Sequence, residues 1–294
     1  MGLRLTDNIW CLGNHLFHFF VVGQKQSVIV ECGVSGAVAN LRRQWPQLHP
    51  RPEVAQLLAM HAHFDHICGI PHLLEFFPQS QVTASAAACK VMQKQKIMAG
   101  FFAQDQEMVK VLMDRGYLNE AVEVPEPEAI AVHNIVGDGD KIKTADGCTL
   151  EIIATPGHSP CSIAAYMPED KVLFISDLAG FQISDEELFP IFFQSYEMYM
   201  DSIQRMKGYP ARMVGIAHGT IWSGQQMEAF YERALQTARQ AFDSIREMSE
   251  AGMEHEQMAN ILFERYYRGD LRIYTPENIK LCVDLLIKRV QECL

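Results

Sequence analysis

Short apolar runs divided by turn residues fill the first thirty positions: Ile9 to Leu12, His15 to Val22, and Ser27 to Glu31, the last closed by Cys32-Gly33. They predict an opening meander of antiparallel strands. The spacing then changes to helical from Ser35, placed to cap a helix, to Trp45, and Pro46, Pro50 and Pro52 mark the loop into a strand over Val54 to Met60. Apolar residues at Ile67, Ile70, Leu73, Leu74 and Phe77 predict a helix over Asp65 to Phe77. A strand at Gln81 to Ala84 and a helical stretch from Ser85 to Tyr117 follow; the methionines of that stretch read as core before pocket.

In the second half, the acidic, proline-bearing segment Glu123 to Glu128 reads as a surface connection, with strand signals resuming at Ala129. Gly137-Asp138-Gly139-Asp140 and Asp146-Gly147 predict hairpin turns. Strands are expected at Thr149 to Ala154, Ser162 to Met167, Lys171 to Ile175 and Met213 to Ala217, with a helix over Tyr196 to Lys207. From Gln225 the pattern is helical, with a stripe running from Met227 through Phe230, Leu235 and Phe242 to Met248, then shorter helices near Gln257 to Tyr267 and Pro276 to Val290. The expected organisation is an α+β domain over residues 1–222 and a helical extension over 223–294 docked on the active-site side.

Composition narrows the function. The 294 residues are 48% hydrophobic and carry a net charge of −11, which suits a globular protein and disfavours nucleic acid and anionic membranes as partners. No apolar run reaches the roughly 18 residues of a membrane span, and the start lacks the apolar core of a secretory signal, so a cytoplasmic location is expected. Met1-Gly2 with Thr6 fits a loose myristoylation pattern that recurs by chance. The eight cysteines form no CxxC pair and read as reduced, packed thiols, Cys68 and Cys161 included.

The chemistry is concentrated at Met60-His61-Ala62-His63-Phe64-Asp65-His66. Four ligand-type side chains stand within six residues on a strand-to-helix loop, a placement that suits two adjacent metal ions; nitrogen and carboxylate ligands fit zinc, iron or manganese. Further ligand-type residues stand at strand tips: His158 in Thr155-Pro156-Gly157-His158-Ser159-Pro160, Asp177 after Ser176, and His218 before Gly219. Glu31 also ends a strand, where a carboxylate could hydrogen-bond a ligating histidine or simply meet solvent. His18 is a pocket candidate beside its reading as a hydrogen-bonded core histidine.

The set His61-x-His63-x-Asp65-His66, Pro156-Gly157-His158-Ser159, Ser176-Asp177 and His218-Gly219 resembles the metallo-β-lactamase superfamily over roughly the first 222 residues. The resemblance implies a four-layer αββα sandwich with a two-metal site at the edge where the sheets meet. One ion would be held by His61, His63 and His158 and the other by Asp65, His66 and His218, with Asp177 bridging. An aspartate at 177 is similar to the glyoxalase II, lactonase and thioesterase branches and unlike the common lactamases, which carry cysteine there. Leu178-Ala179-Gly180 departs from the tyrosine that lactonases place after this aspartate. Ser176 stands where many members have glycine. A looser likeness to the quinolone-signal-response thioesterase branch implies Phe181, Phe192, Phe193 and the C-terminal helices as pocket walls.

The expectation is a dinuclear metal-dependent hydrolase, zinc first with iron or manganese as alternatives, whose bridging hydroxide cleaves a thioester or related ester of a small molecule. Asp65 and Asp177 would orient and help deprotonate the water, and Ser159 would stabilise its loop. The rival readings are a phosphodiesterase or lactonase on the same site, and a regulatory effector-binding protein acting through its C-terminal helices. A homodimer is a further expectation.

Overall fold

The structure, a computed structural model, describes residues 2–125, 127 and 129–294. Met1 of the myristoylation pattern, and Glu126 and Glu128 of the acidic connection, lie outside the described residues. The first sheet takes its strands in chain order: β1 (Leu3–Arg4), β2 (Ile9–Asn14), β3 (Phe17–Val22), β4 (Ser27–Val30), β5 (Val54–Ala59), β6 (Gln81–Ser85) and β7 (Asn134–Val136). The expected meander is present as β1 to β4, antiparallel throughout; β4 to β7 then run parallel. Parallel pairing requires crossovers. These are α1 (Ser35–Gln44), the broken pair α2 (Phe64–Ile67) and α3 (Ile70–Phe76), and α4 (Ala86–Met92) with α5 (Gln95–Asp114).

The second sheet contains β8 (Lys141–Lys143), β9 (Thr149–Ala154), β10 (Ile163–Met167) and β11 (Val172–Ser176). A small ribbon, β12 (Phe181–Gln182) with β13 (Leu188–Phe189), and α6 (Tyr196–Lys207) intervene before β14 (Met213–Ile216) and β15 (Trp222–Ser223) close the sheet in the order β15-β14-β11-β10-β9-β8. The turn at 137–140 therefore passes from one sheet to the other, and only the 144–148 turn joins an antiparallel pair. Strand structure after Ala129 begins later than expected, at Asn134.

The inner faces of the sheets meet in an apolar layer. Phe20, Val30 and Leu58 of the first sheet face Ile152, Ile163 and Phe174 of the second, and the rings of Phe20 and Phe174 are 4.9 Å apart. The outer faces are covered by helices, α1, α4 and α5 on one side and α6 with α7 (Gly224–Glu250) on the other. Coverage on both faces explains why β3, β10 and β11 are apolar except at His18 and Ser176 and are buried at every position. The result is the four-layer arrangement expected. α8 (His255–Tyr266), a 3₁₀ turn at Gly269–Ile273 and α9 (Pro276–Gln291) complete the helical extension, whose first helix follows β15 directly. Among the described residues no helix is long and apolar enough to cross a membrane.

Candidate metal centre

Each candidate ligand stands just past the end of a strand. β5 delivers His61 and His63, with Asp65 and His66 opening α2; β9 leads to His158, β11 to Asp177 and β14 to His218. The sheets are tied together beside these exits, where Ile163 N donates to Met60 O at 2.9 Å and His18 N to Ala217 O at 3.0 Å. At Ser176 the register of β11 against β14 slips and φ is +51°, a left-handed bulge that turns Asp177 out of the sheet. Before His158, Gly157 has φ +124°, and a Cβ there would collide with the Tyr199 backbone at the start of α6, so this loop can approach the helix only as glycine.

Two donor groups result, His61 with His63 and His158, and Asp65 with His66, Asp177 and His218. In the first, His61 Nε2, His63 Nδ1 and His158 Nε2 are separated by 3.1, 3.2 and 2.9 Å. A triangle of about 3 Å side has corners about 1.8 Å from its centre, close to the 2.0–2.1 Å of a zinc–nitrogen bond, so these three residues fit a common ion and would hold it. Burial holds His61 and His63 well below the usual imidazole range, His63 down to about 3, and it lowers His158 too, against the pull of Asp177. Unprotonated rings turn lone pairs toward one point, a donor set that a cation completes.

In the second group, His66 Nε2 is 3.2 Å from Asp177 Oδ2 and from His218 Nε2, and His218 Nε2 is 3.4 Å from Asp65 Oδ2. Burial would lower both imidazoles, but the Asp177 and Asp65 carboxylates outweigh it and raise them. The same histidines keep both carboxylates well below their usual range despite burial. Asp177 Oδ2 lies 3.5 Å from His158 Nε2 and 3.8 Å from His61 Nε2 as well, so one carboxylate reaches both groups.

The rings are held from behind. His66 Nδ1 donates to Glu31 Oε2 at 2.8 Å, His158 Nδ1 to Ile191 O at 2.8 Å, and His218 Nδ1 to Leu16 O, while His61 Nδ1 meets Ser176 Oγ at 3.3 Å. Such bonds fix the tautomer that leaves Nε2 free to ligate. Glu31 thus holds a donor of the second group in place. Ser159 bonds Ser162 Oγ at 2.7 Å, and Cys161 Sγ accepts from Ala62 N at 3.3 Å, so both brace the loops. Cys68 is fully buried in the core.

Above the donors lies a cavity of about 180 Å³. His63, Asp65, His158 and Asp177 form its floor; Phe181, Phe189, Ile191 and Phe193 form one wall, and Leu271, Tyr274, Ile279 and Leu285 of the extension form another. Of the residues named as pocket candidates from the sequence, Phe181 and Phe193 line this cavity. Two other pocket candidates do not. Phe192 is buried against Tyr196 and Tyr199, because its side chain points to α6. His18 lies behind the centre with Nδ1 donating to Ile216 O at 2.9 Å, and burial lowers it to about 4. Sequence reasoning missed Phe189, Ile191 and Tyr274, whose hydroxyl donates to Asp65 Oδ2 at 2.6 Å.

The model of the Metallo-beta-lactamase superfamily matches residues 18–218, which span every donor described above. The chain belongs to the metallo-beta-lactamase superfamily. Among relatives within and around it, a metallo-beta-lactamase fold-containing protein of Sulfurisphaera tokodaii is 25% identical over 222 residues, covering 74% of this chain and 77% of that protein. An acyl-coenzyme A thioesterase of Gallus gallus is 29% identical over 190 residues, covering 59% of this chain and 61% of its own length. A beta-lactamase domain protein of Burkholderia ambifaria superposes with a TM-score of 0.65 at 19% identity, covering 99% of this chain and 89% of that one, so its fold includes a counterpart of the helical extension.

Proposed function

We propose that this chain is a dinuclear metal-dependent hydrolase that cleaves a thioester or a related ester. The observation that carries this reading is the sharing of Asp177 between two donor groups on the floor of an otherwise apolar cavity. Two divalent cations held there, zinc foremost with iron or manganese as alternatives, supply Lewis acidity and a hydroxide at neutral pH. His61, His63 and His158 would hold one and Asp65, His66 and His218 the other, with Asp177 shared.

The chain's own groups do the positioning. Asp65 and Asp177 are the acceptors beside the reacting centre and orient the attacking water. Phe181, Phe189 and Phe193 exclude bulk water, which strengthens every charge interaction on the floor, and offer an apolar seat for the acyl group. No lysine or arginine lines this cavity among the described residues, which favours an uncharged acyl ester over a phosphodiester. The similarity to an acyl-coenzyme A thioesterase supports the same choice.

The test is metal analysis of the purified protein together with a panel of thioesters, lactones and phosphodiesters, before and after chelation. Two ions per chain, thioester turnover abolished by chelation and restored by metal, and at least a hundredfold loss in Asp177→Ala are expected. Full activity after chelation, or a phosphodiester as the best substrate, would overturn the proposal.

A further inference from the structure

Tyr274 stands between the 3₁₀ turn and α9, far from the ligands in sequence, yet its hydroxyl donates to Asp65 Oδ2 at 2.6 Å and its ring lines the cavity. Among the described residues, no other side chain of the extension hydrogen-bonds a donor of the two groups. That same Oδ2 is the oxygen facing His218 and His66, at 3.4 and 3.6 Å, so the phenol reaches the atom that points into the second group.

Its position is fixed from several sides. The ring stands edge-on to Phe181 and Phe64, with centroids 5.5 and 6.1 Å away, and the Tyr274 carbonyl accepts from Tyr267 Oη at 3.0 Å. The preceding turn is clamped to the 183–187 loop: Asp270 N donates to Ile183 O at 3.1 Å and Arg268 pairs with Glu187 at 2.7 Å. Gly269 has φ +53°, and a Cβ there would collide with Ile183 O. A ring held this firmly in the wall of an apolar cavity keeps its hydroxyl oxygen in place, so that only the O–H bond has to turn when charge develops beside it.

We infer that Tyr274 is a catalytic residue of the hydrolase proposed above: its hydroxyl swings from Asp65 to the substrate's carbonyl oxygen and donates a hydrogen bond as that oxygen becomes negative. The proton stays on the phenol. The inference rests on the ester-hydrolase reading, and it assigns to the extension a direct part in the reaction. A tyrosine that merely satisfies its hydroxyl on a nearby carboxylate would contribute to stability alone.

Tyr274→Phe keeps the ring and deletes the donor. Metal-loaded wild-type and variant proteins are compared for metal content by mass spectrometry, for calorimetric affinity toward pentylphosphonate, a tetrahedral anion, and hexanoate, its planar counterpart, and for kinetics on a thioester. Expected in the variant are unchanged metal content, hexanoate affinity within twofold, pentylphosphonate affinity down at least tenfold, and kcat down about ten- to a hundredfold with KM within threefold. Equal weakening of both ligands, no weakening of pentylphosphonate, or a defect repaired by excess metal would overturn the inference, the last by making Tyr274 a support for Asp65. So would a wild-type protein that binds neither anion. A wild-type protein that binds both but turns over no ester sinks the hydrolase reading on its own, because the ligand comparison needs no turnover.

Discussion

Replacing Glu31 with alanine removes the carboxylate that holds His66 from behind. Glu31 is 2% exposed; its Oε2 accepts from His66 Nδ1 at 2.8 Å, and its Oε1 has no hydrogen-bond partner. Without Glu31 a buried N–H is left unpaired, a loss of about 1–3 kcal/mol. Falling on a ligand's orientation, that loss equals roughly a five- to 150-fold weakening of the second donor group, since about 1.4 kcal/mol is tenfold. The range overlaps the ten- to hundredfold found when the outer partner of a metal-bound histidine is removed. A second effect has the opposite sign. Glu31 has φ +72°, and the left-handed region costs an L residue about 1–2 kcal/mol; alanine keeps that strain and glycine releases it. Glu31→Ala and Glu31→Gly should therefore weaken metal equally, while the metal-free glycine variant resists urea by about 1 kcal/mol more than the alanine one. Glu31→Gln, which keeps an acceptor without the charge, should fall between wild type and alanine in affinity. Competition with a chromophoric chelator gives the affinity of each ion, and urea melts of metal-free protein give stability. An alanine variant that binds both ions as tightly as wild type would refute this role for Glu31.

Two further perturbations probe the frame around the centre. Ser176 carries φ +51° and meets His61 Nδ1 at 3.3 Å, so Ser176→Gly should exceed Ser176→Ala in metal-free stability by about 1 kcal/mol while both weaken metal alike; identical melts would rule out strain at the bulge. Asp105 of α5 is fully buried, accepting from Ser35 N at 3.2 Å, and burial pushes its carboxyl up to about 6. A carboxylate raised in the folded state contributes most stability below its unfolded value near 4, and that contribution is lost as pH rises through 6. Asp105→Asn, which keeps an acceptor but cannot ionise, should gain on wild type by about 3 kcal/mol between pH 3.5 and pH 7 in denaturant melts of metal-free protein, and parallel pH profiles would exclude the effect.

The two donor groups were legible in the sequence because their members are announced locally. An apolar strand stops, the chain turns, and a nitrogen or carboxylate donor follows: His61 two residues after β5, His158 directly after Gly157, and Asp177 directly after the bulge at Ser176. The layers were legible for a similar reason, since burial on both faces leaves apolar runs in β3, β10 and β11 that only His18 and Ser176 interrupt. Local signals give out where a position is decided by distant packing. The helix expected from Ser85 to Tyr117 breaks at Gln93-Lys94 without proline or glycine, Lys94 turning extended before α5. The helix expected over Asp65 to Phe77 is interrupted at Cys68-Gly69, where Gly69 passes so close to the Cys32 carbonyl that a side chain would collide.

The cavity shows the same limit in sharper form. Phe192 and Phe193 are adjacent and equally aromatic, but one ring faces α6 and the other the histidines, and only the path of the 190–195 segment decides between them. Tyr274 lies in an unremarkable run before a helix, and it becomes part of the centre only because the extension folds back 209 residues in sequence to reach Asp65. In the proposed function, water activation would therefore be encoded at strand tips within residues 61–218. Substrate selection would be encoded by how the extension docks against α5 and the 181–193 segment, where one substitution can move a wall without touching a donor of either group. Variants of Ile279 or Leu285 that enlarge the cavity should accordingly change which acyl group is preferred at unchanged metal content, and loss of metal in them would show that wall and floor are not separable.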